Sequence, residues 1–265
     1  MKILAVGNSF SQDATAYLQP MARAGGFPVQ AANLFIPGCS LEMHWKNAES
    51  GEAAYSFQVD GEDTGRMASL RESLTETAWD VVTLQQTSSL SGQPDSYQPF
   101  LAQLYGYVRA LAPQAKIYLH ETWAYETDSG HEPFALYRHN QEEMYRQLKA
   151  AYIAEAHRLG LPLIPSGDAI QAIRRIAAFC YARGGLSLCR DGFHMQIPYG
   201  RYALSAVWYE TLFGADVRVN TFVPNGREGG KADPALLDAI RETYTPVSPL
   251  ANKKHRRLSV GVFYS

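Results

Sequence analysis

One serine lies where an apolar run gives way to a helical pattern. The run Lys2–Val6 leads directly into Gly7-Asn8-Ser9-Phe10-Ser11, and helix-forming residues follow. A serine at such a turn holds its hydroxyl at the carboxyl edge of a sheet. Its backbone N–H lies at a helix N-terminus, where donors are unpaired and negative charge is favoured. Ser9 is therefore a candidate nucleophile, although a serine here more commonly only caps the helix.

An aspartate and a histidine three residues apart precede the last long helical segment. In Arg190-Asp191-Gly192-Phe193-His194, this spacing on a helical turn puts the Asp191 carboxylate within reach of one ring nitrogen of His194. The other nitrogen can then take the proton of a serine, as in Ser-His-Asp catalysis. Loops that leave the carboxyl ends of parallel strands meet in one crevice, so this segment and the Ser9 turn are predicted to converge.

Two further segments follow predicted strands and contain hydrogen-bond donors. Gly38, in Pro37-Gly38-Cys39-Ser40, offers an unencumbered backbone N–H to a ligand, or it is a plain turn glycine. Gln85-Gln86-Thr87-Ser88 follows the next strand along the chain. An amide at this position can donate to an oxyanion, or it can simply be solvated at the strand end.

Taken together, these segments resemble the SGNH hydrolase superfamily, also called GDSL-like. Gly7-Asn8-Ser9, Gly38 and Asp191-x-x-His194 fall in the order and strand contexts of its sequence blocks. The chain is similar to a branch with G-N-S-F-S as its first block, related to carbohydrate O-acetylesterases. Its flanking segments also match: Gly38-Cys39-Ser40-Leu41 with His44-Trp45, Leu84–Ser88, and Thr122-Trp123-Ala124-Tyr125. The likeness runs from Met1 to about Gly214.

The resemblance implies a role for each block. Ser9 is the nucleophile, Asp191 and His194 complete the triad, and Gly38 joins the Ser9 N–H in the oxyanion hole. The third block usually reads G-x-N-D, and here Thr87 falls on the asparagine position. We predict that Gln85 is the side-chain donor instead, because it shares a face with Thr87 and has a longer amide. Sialate-acetylesterase-like relatives also carry a glutamine in this block, and Gln86 is the alternative.

Other polar and aromatic residues have less specific signals. Glu121, Trp123 and Tyr125 follow the fourth predicted strand and are predicted to line the substrate pocket, although core packing explains them equally well. Asp13, one turn beyond Ser9, either steadies the loop or is an ordinary helix N-terminal carboxylate. No metal or other cofactor is predicted, because the remaining histidines show no ligand spacing: His44, His120, His131, His139 and His157.

Short β-branched runs alternate with longer amphipathic segments. This pattern predicts a three-layer α/β/α sandwich around a five-stranded, mainly parallel sheet of flavodoxin-like order. The predicted strands are Lys2–Val6, Val29–Ile36, Asp80–Leu84, Lys116–Leu119 and Leu161–Ile164. The predicted helices are Gln12–Ala24, Met67–Thr77, Tyr97–Leu111, Pro133–Leu159, Asp168–Phe179 and Tyr199–Phe213. A small hairpin is predicted within Ser50–Gly65, inserted between helices.

The chain of 265 residues contains no internal repeat or low-complexity linker, so residues 1–250 are predicted to form one domain. Residues 251–265 are predicted to be a basic tail of unassigned structure. They include the basic run Lys253–Arg257 and the strand-like Leu258–Tyr264. The net charge of −2 gives no reason to expect nucleic acid or an anionic membrane as a partner.

The cysteines and the N-terminus bear on the compartment. The three cysteines, an odd number without regular spacing, favour free thiols in a reducing compartment over a disulfide framework. The apolar run at the N-terminus is too short for a signal peptide. A cytoplasmic location is therefore expected, or a secreted one if a leader has been removed.

The predicted reaction is acyl transfer from a small ester to Ser9, followed by hydrolysis of the acyl-enzyme with His194 as the base. The resemblance favours O-acetyl groups on carbohydrate. The alternatives are a weak or inactive carbohydrate-binding module, and a lipase or thioesterase of the same fold. A flavodoxin-like nucleotide binder would need a glycine-rich nest at Gly7–Ser11, which Asn8 and Phe10 interrupt.

Overall fold

A single mixed sheet of seven strands lies in the part of the chain that the computed structural model describes, residues 1–225 and 232–243. In chain order the strands are β1 (Lys2–Gly7), β2 (Gln30–Phe35), β3 (Tyr55–Val59), β4 (Glu62–Ala68), β5 (Val81–Leu84), β6 (Lys116–His120) and β7 (Leu163–Ile164). Across the sheet the order is β4-β3-β2-β1-β5-β6-β7. Helices flank the sheet, which confirms the predicted α/β class.

Five of these strands correspond to those predicted from the sequence. They are parallel and lie in the order β2-β1-β5-β6-β7, which is the flavodoxin-like order. Ile3–Val6 of β1 and Val81–Leu84 of β5 are buried throughout. Continuous apolar runs of this kind are typical of parallel strands covered on both faces. Because these strands point the same way, the segments that follow them meet along one edge of the sheet.

The prediction of a five-stranded, mainly parallel sheet is wrong in strand number and direction. Strands β3 and β4 form a hairpin that extends the sheet beside β2, and both pairings are antiparallel. Asp60 and Gly61 form its turn with positive φ angles of 51° and 87°, as a two-residue hairpin turn requires. The Asp60 Oδ1 atom also accepts the N–H of Ala31 at 2.9 Å, which ties the turn to β2.

The helices are α1 (Ser9–Thr15), α2 (Leu18–Ala24), α3 (Leu41–Ser50), α4 (Leu70–Thr75), α5 (Phe100–Leu111), α6 (Gln141–Leu159), α7 (Ser166–Ile173), α8 (Tyr199–Phe213) and α9 (Pro234–Thr243). The predicted helix Gln12–Ala24 is divided at a turn where the Tyr17 N–H donates to the Ser205 hydroxyl at 3.2 Å. The predicted helix Pro133–Leu159 begins only at Gln141, after a 3₁₀ turn. The Asn140 side chain caps it by accepting the N–H of Glu143.

The helices form two packed groups around the sheet. Helix α8 contacts α1, α2, α7 and α9, whereas α5 contacts α3 and α4. Residues Tyr202–Glu210 of α8 are all buried, so this helix lies in the core of its layer. None of the described helices is both long and apolar enough to cross a membrane. The predicted basic tail, residues 251–265, lies outside the described residues, so the tail and the domain boundary stay predictions.

Candidate active site

Ser9, His194 and Asp191 form a continuous line of hydrogen bonds. The Ser9 Oγ atom lies 2.8 Å from Nε2 of His194, although the two residues are 185 positions apart in sequence. The Nδ1 atom of the same ring lies 2.7 Å from Oδ2 of Asp191. The structure therefore brings together the three residues of the predicted triad at the carboxyl edge of the sheet.

Asn8, and not Ser9, caps helix α1. The Asn8 side chain accepts the backbone N–H of Phe10 at 3.0 Å, while its own backbone is extended. Ser9 is the first helical residue, so its N–H has no partner within the helix. The Ser9 hydroxyl is thus free of the capping role that a serine at this turn commonly has, and it faces the His194 ring instead.

The segment that carries Asp191 and His194 is a tight loop and not the helical turn that the spacing suggested. An antiparallel bridge between Cys189 and Met195 closes this loop. Gly192 adopts a φ of +89°, which favours glycine. The Asp191 Oδ1 atom accepts the backbone N–H of His194 at 2.8 Å, so Asp191 orients both the loop and the ring.

Electrostatics keep Asp191 charged. Partial burial alone raises the pKa of the Asp191 carboxyl. Hydrogen bonds from the His194 ring and from the backbone N–H groups of His194 and Phe193 outweigh it, and the net pKa lies below the ordinary value. An ionised Asp191 holds the proton of His194 on Nδ1, which leaves Nε2 as the acceptor that faces Ser9.

Asp13 anchors the histidine loop to α1. Its carboxylate is fully buried and accepts hydrogen bonds from Nη1 of Arg190 (3.1 Å), from Nε of Arg201 (2.8 Å) and from the backbone N–H of Met195 (2.8 Å). Of the two roles open to Asp13 from the sequence, these contacts show that it steadies a loop, the one that carries His194. The signal for this role was an acidic residue one turn after Ser9 together with an arginine next to Asp191.

Gly38 lies in a turn beside the Ser9 loop. Its φ is +62°, and an added Cβ would meet nothing within 4 Å, so backbone conformation alone favours glycine here. The Nδ2 atom of Asn8 donates to the carbonyl of Cys39 at 3.1 Å, which joins the two loops directly. Gly38 is exposed, as a donor to a bound ligand must be.

Backbone groups fix the orientation of the Asn8 amide, and through it that of Gln85. The Asn8 Oδ1 atom accepts the Phe10 N–H, and its Nδ2 donates to the Cys39 carbonyl. The Gln85 side chain, 2.8 Å from Asn8 Oδ1, must therefore present its Nε2 and donate. One of the two amide hydrogens of Gln85 is committed to this bond, and one remains.

The chain of hydrogen bonds continues from Gln85 to His120 and Ser166. Since Gln85 Nε2 faces Asn8, Gln85 Oε1 faces His120 and accepts the Nδ1–H of that ring at 2.8 Å. The other ring nitrogen, Nε2, then accepts the Ser166 hydroxyl at 3.0 Å. All four side chains are buried, and they connect the segments that follow β1, β5 and β7 with His120, the last residue of β6.

Gln86 faces away from this chain, as alternation along a strand predicts. Its Oε1 accepts the N–H groups of Leu41 (3.0 Å) and Thr87 (2.9 Å), and its Nε2 donates to the Ser96 carbonyl at 2.9 Å. Every polar atom of the Gln86 amide is therefore used to hold loops together. The roles of Gln85 and Gln86 in an oxyanion hole stay predictions.

Residues 2–239 match the model of DUF4886, described as a domain of unknown function. The chain belongs to this family. A crystal structure of a DUF4886 family protein from Bacteroides uniformis has 36% sequence identity and a TM-score of 0.83, and 92% of each chain is covered. No curated protein sequence matches the chain.

Two more distant structures show which fold the DUF4886 chain has. A candidate SGNH hydrolase from Slackia heliotrinireducens is 22% identical, with a TM-score of 0.56 over 80% of this chain and 98% of that one. A candidate GDSL-like lipase from Parabacteroides merdae is 14% identical, with a TM-score of 0.52 over 79% and 94%. The DUF4886 chain therefore has the fold of SGNH hydrolases, as the sequence resemblance implied.

The three predicted pocket residues of this DUF4886 protein are buried. Glu121 accepts the backbone N–H of Asp168 at 3.0 Å, at the first turn of α7. Burial and the nearby Asp168 charge raise the pKa of Glu121 to about 8. Trp123 stacks on Phe10 with ring centroids 4.0 Å apart, and the Tyr125 hydroxyl lies 3.0 Å from Ser88 Oγ. Their contacts are with protein groups, and pocket lining stays a prediction.

Two residues of the segment after β6 hold the histidine loop from the other side. The Trp123 ring N–H donates to the Phe193 carbonyl at 2.8 Å, and the Glu126 backbone N–H donates to the Gly192 carbonyl at 2.7 Å. The buried Glu126 side chain lies 3.7 Å from the Arg174 guanidinium. Sequence reasoning missed this role of Glu126, because a backbone donor leaves no signal in residue type.

Buried histidines of the DUF4886 chain serve packing and orientation. His44 lies 3.0 Å from the Tyr55 hydroxyl, and His120 bridges Gln85 and Ser166. Burial lowers the pKa of both rings to about 3, so both are neutral at ordinary pH. Within residues 1–225 and 232–243, no group of three or more His, Cys, Asp or Glu side chains could hold a metal ion.

Proposed function

We propose that this protein is a serine esterase that hydrolyses small acyl esters with Ser9 as the nucleophile. The observation that carries the proposal is the continuous line from Ser9 Oγ through the His194 ring to Asp191, with bonds of 2.8 and 2.7 Å. A capping serine needs no histidine, and Asn8 already caps this helix. The SGNH hydrolase fold is a second, independent support.

The reaction follows from the direction of the two hydrogen bonds that join Ser9, His194 and Asp191. His194 Nε2 takes the Ser9 proton as Oγ attacks the ester carbonyl, and Asp191 stabilises the imidazolium that forms. His194 then gives the proton to the alcohol oxygen as the C–O bond breaks. Water attacks the acyl-enzyme in the same way, with His194 again as the base, and releases the acid and the free serine.

The oxyanion of each tetrahedral intermediate needs hydrogen-bond donors. We assign the backbone N–H groups of Ser9 and Gly38 to it, together with the remaining amide hydrogen of Gln85. The bond between Asn8 Nδ2 and the Cys39 carbonyl supports this set, because it fixes the Gly38 turn beside Ser9. Gln86 is a poorer candidate, since all its polar atoms are bonded elsewhere.

The substrate class is proposed as O-acetyl esters, in particular those of carbohydrates. The rival reading is a carbohydrate-binding module that has lost catalysis. A preformed bond between serine and histidine favours the enzyme over the module, because binding a sugar does not need that bond. A lipase or thioesterase of the same fold would use the same triad and differ in the alcohol or thiol that it releases.

Labelling with a fluorophosphonate tests the proposed nucleophile. The serine oxygen forms a bond to phosphorus, fluoride leaves, and His194 takes the serine proton, so intact mass reports one added phosphonyl group. We expect labelling of the wild type and of Ser50→Ala, an exposed serine on α3, but not of Ser9→Ala. Folded wild-type protein that takes no label would favour the binding module, and labelled Ser9→Ala would exclude Ser9.

A further inference from the structure

The rings of His131 and Phe193 stack beside the His194 ring. The centroids of His131 and Phe193 are 4.3 Å apart, with an interplanar angle of 10°. The Phe193 centroid lies 4.1 Å from that of His194. Tyr125 packs edge-on against His131, with ring centroids 5.3 Å apart. Two aromatic neighbours therefore fix the position of the His131 ring.

Both ring nitrogens of His131 are open to the solvent. Neither has a hydrogen-bond partner among the described residues, and neither is enclosed by the protein. This distinguishes His131 from His44 and His120, which are fully buried. A half-buried ring with a fixed position and two unpaired polar atoms is suited to binding a ligand.

The His131 ring is neutral near neutral pH. Burial and the neighbouring His194 lower its pKa, and the charges of Asp191 and Glu132 only partly offset this. A neutral imidazole has one N–H donor and one nitrogen acceptor. A hydroxyl group also donates and accepts, so it can pair with either nitrogen of this ring.

The position of His131 relative to His194 determines which part of the substrate it meets. His194 must reach the oxygen of the departing alcohol to give it a proton, whereas the acyl group lies toward Ser9 and the oxyanion donors. Groups beside the His194 ring that lie away from Ser9 and the oxyanion donors are therefore placed to meet the alcohol. Phe193 contacts both rings, with its centroid 4.1 Å from that of His194 and 4.3 Å from that of His131, so Phe193 and His131 lie together beside the base.

We propose that His131 binds a hydroxyl group of the alcohol part of the substrate, next to the ester. The inference rests on the proposed esterase function and adds a substrate class to it. Alcohols with a neighbouring hydroxyl, such as sugars, gain a hydrogen bond at His131, and simple hydrocarbon alcohols gain none. His131 thereby selects esters of polyhydroxylated alcohols over esters of aliphatic chains.

The test compares two acetyl esters that differ only in the leaving alcohol. One is p-nitrophenyl acetate, which has no hydroxyl on its alcohol part, and the other is a mono-O-acetylated methyl glycoside. For His131→Ala we expect a loss of roughly 3–10-fold in kcat/KM on the glycoside, the size of one hydrogen bond, and no loss on p-nitrophenyl acetate. His131→Gln, which keeps a donor and an acceptor, should recover part of the difference.

His157→Ala is the matched control, because His157 is an exposed histidine at the end of α6. Equal losses on both esters in His131→Ala would mean that the ring only supports Phe193 and His194, and would overturn the inference. The inference would also be overturned if His131→Ala lost activity on neither ester, or if the wild type cleaved only p-nitrophenyl acetate. A wild type that cleaves neither ester and takes no fluorophosphonate label would refute the proposed function, and this inference with it.

Discussion

The Asp13 carboxylate accepts the backbone N–H of Met195 at 2.8 Å, one residue after His194. Asp13 lies one turn after Ser9 on α1. One short helix therefore positions the proposed nucleophile and also anchors the loop of its base. Because both contacts come from the same helix, Asp13 ties the His194 loop directly to the element that carries Ser9.

Replacing Asp13 should therefore weaken both stability and catalysis. Asp13→Asn removes the buried charge that the guanidinium groups of Arg190 and Arg201 contact, and breaking a buried ion pair in this way typically lowers the free energy of unfolding by about 3–5 kcal/mol. We expect the lower part of that range, since the Arg190 side chain is 34% exposed and can be solvated. Urea unfolding measures the stability, and kcat at low temperature measures catalysis in the folded fraction.

The control for Asp13 is Glu42→Gln, which breaks the exposed pair between Glu42 and Lys46. Exposed pairs of this kind contribute little to stability, so its unfolding curve should match that of the wild type. An Asp13→Asn variant with a wild-type unfolding curve and wild-type kcat would show that Asp13 does not hold the loop.

Ser9→Ala should fold normally and lose activity. The serine side chain is half-buried at a turn and makes its one bond to His194, so little packing is lost. Removing a triad residue lowers turnover by about 10⁴-fold or more in other enzymes. Hydrolysis of p-nitrophenyl acetate is the measurement. Retention of more than about a tenth of the wild-type rate would reject Ser9 as the nucleophile.

Activity should fall on acidification. His194 must be unprotonated to take the Ser9 proton, and imidazoles titrate between about pH 5 and 8. Asp191 does not add a limb in that range, because its pKa lies below the ordinary carboxyl value and it stays charged. A pH–rate profile of kcat/KM should thus show one acid limb with unit slope. A flat profile from pH 5 to 8 would contradict a histidine base.

The buried Glu121 should make stability depend on pH. Its pKa rises from 4.5 to about 8 on folding, so the folded state binds the proton more tightly than the unfolded state. The resulting stabilisation is present below pH 4.5 and is lost as the pH rises to about 8, at up to about 1.4 kcal/mol per pH unit. Glu121→Gln should remove this dependence. Urea unfolding at pH 5 and pH 8 measures this dependence. The prediction would be contradicted if the free energy of unfolding changed by the same amount between these two pH values in the wild type and in Glu121→Gln.

The sequence predicted the parallel part of the sheet because each of its strands contains a short apolar run, although β2 also includes Asn33 and β6 begins at Lys116 and ends at His120. It did not predict that β3 and β4 join the sheet, since β4 is polar and mostly exposed. The pairing of β3 with β2 aligns Leu34 with Phe57, and such a tertiary contact leaves no periodic signal within either strand alone.

In the site, residue type identified the groups that do chemistry but not the groups that position them. Ser9 follows β1, and Asp191 and His194 lie in the loop before α8; all three carry reactive side chains, which a sequence can reveal. Glu126 acts through its backbone N–H, and Trp123 acts through a ring N–H on a backbone carbonyl. Such contacts depend on the path of two loops, which no spacing rule gives.

Gln85 is the proposed third donor to the oxyanion. One amide hydrogen of Gln85 is bound to Asn8, and we propose that the other donates to the oxyanion. We expect Gln85→Ala to lower kcat by about 10²–10³-fold with little change in KM. Gln86→Ala should keep its kcat at low temperature and lose about 1–3 kcal/mol of stability, because the N–H groups of Leu41 and Thr87 lose their acceptor.

The alternative role for Gln85 is only to support Asn8, whose Oδ1 accepts its amide hydrogen, and a double-mutant cycle separates the two cases. If Gln85 acts through Asn8 alone, adding Gln85→Ala to Asn8→Ala should lower kcat no further. If Gln85 donates to the oxyanion, the double variant should lose a further factor of about 10². A kcat loss in Gln86→Ala that exceeds the loss in Gln85→Ala would transfer the role to Gln86. Wild-type kcat in Gln85→Ala, Gln86→Ala and Thr87→Ala alike would leave the oxyanion to the backbone N–H groups of Ser9 and Gly38.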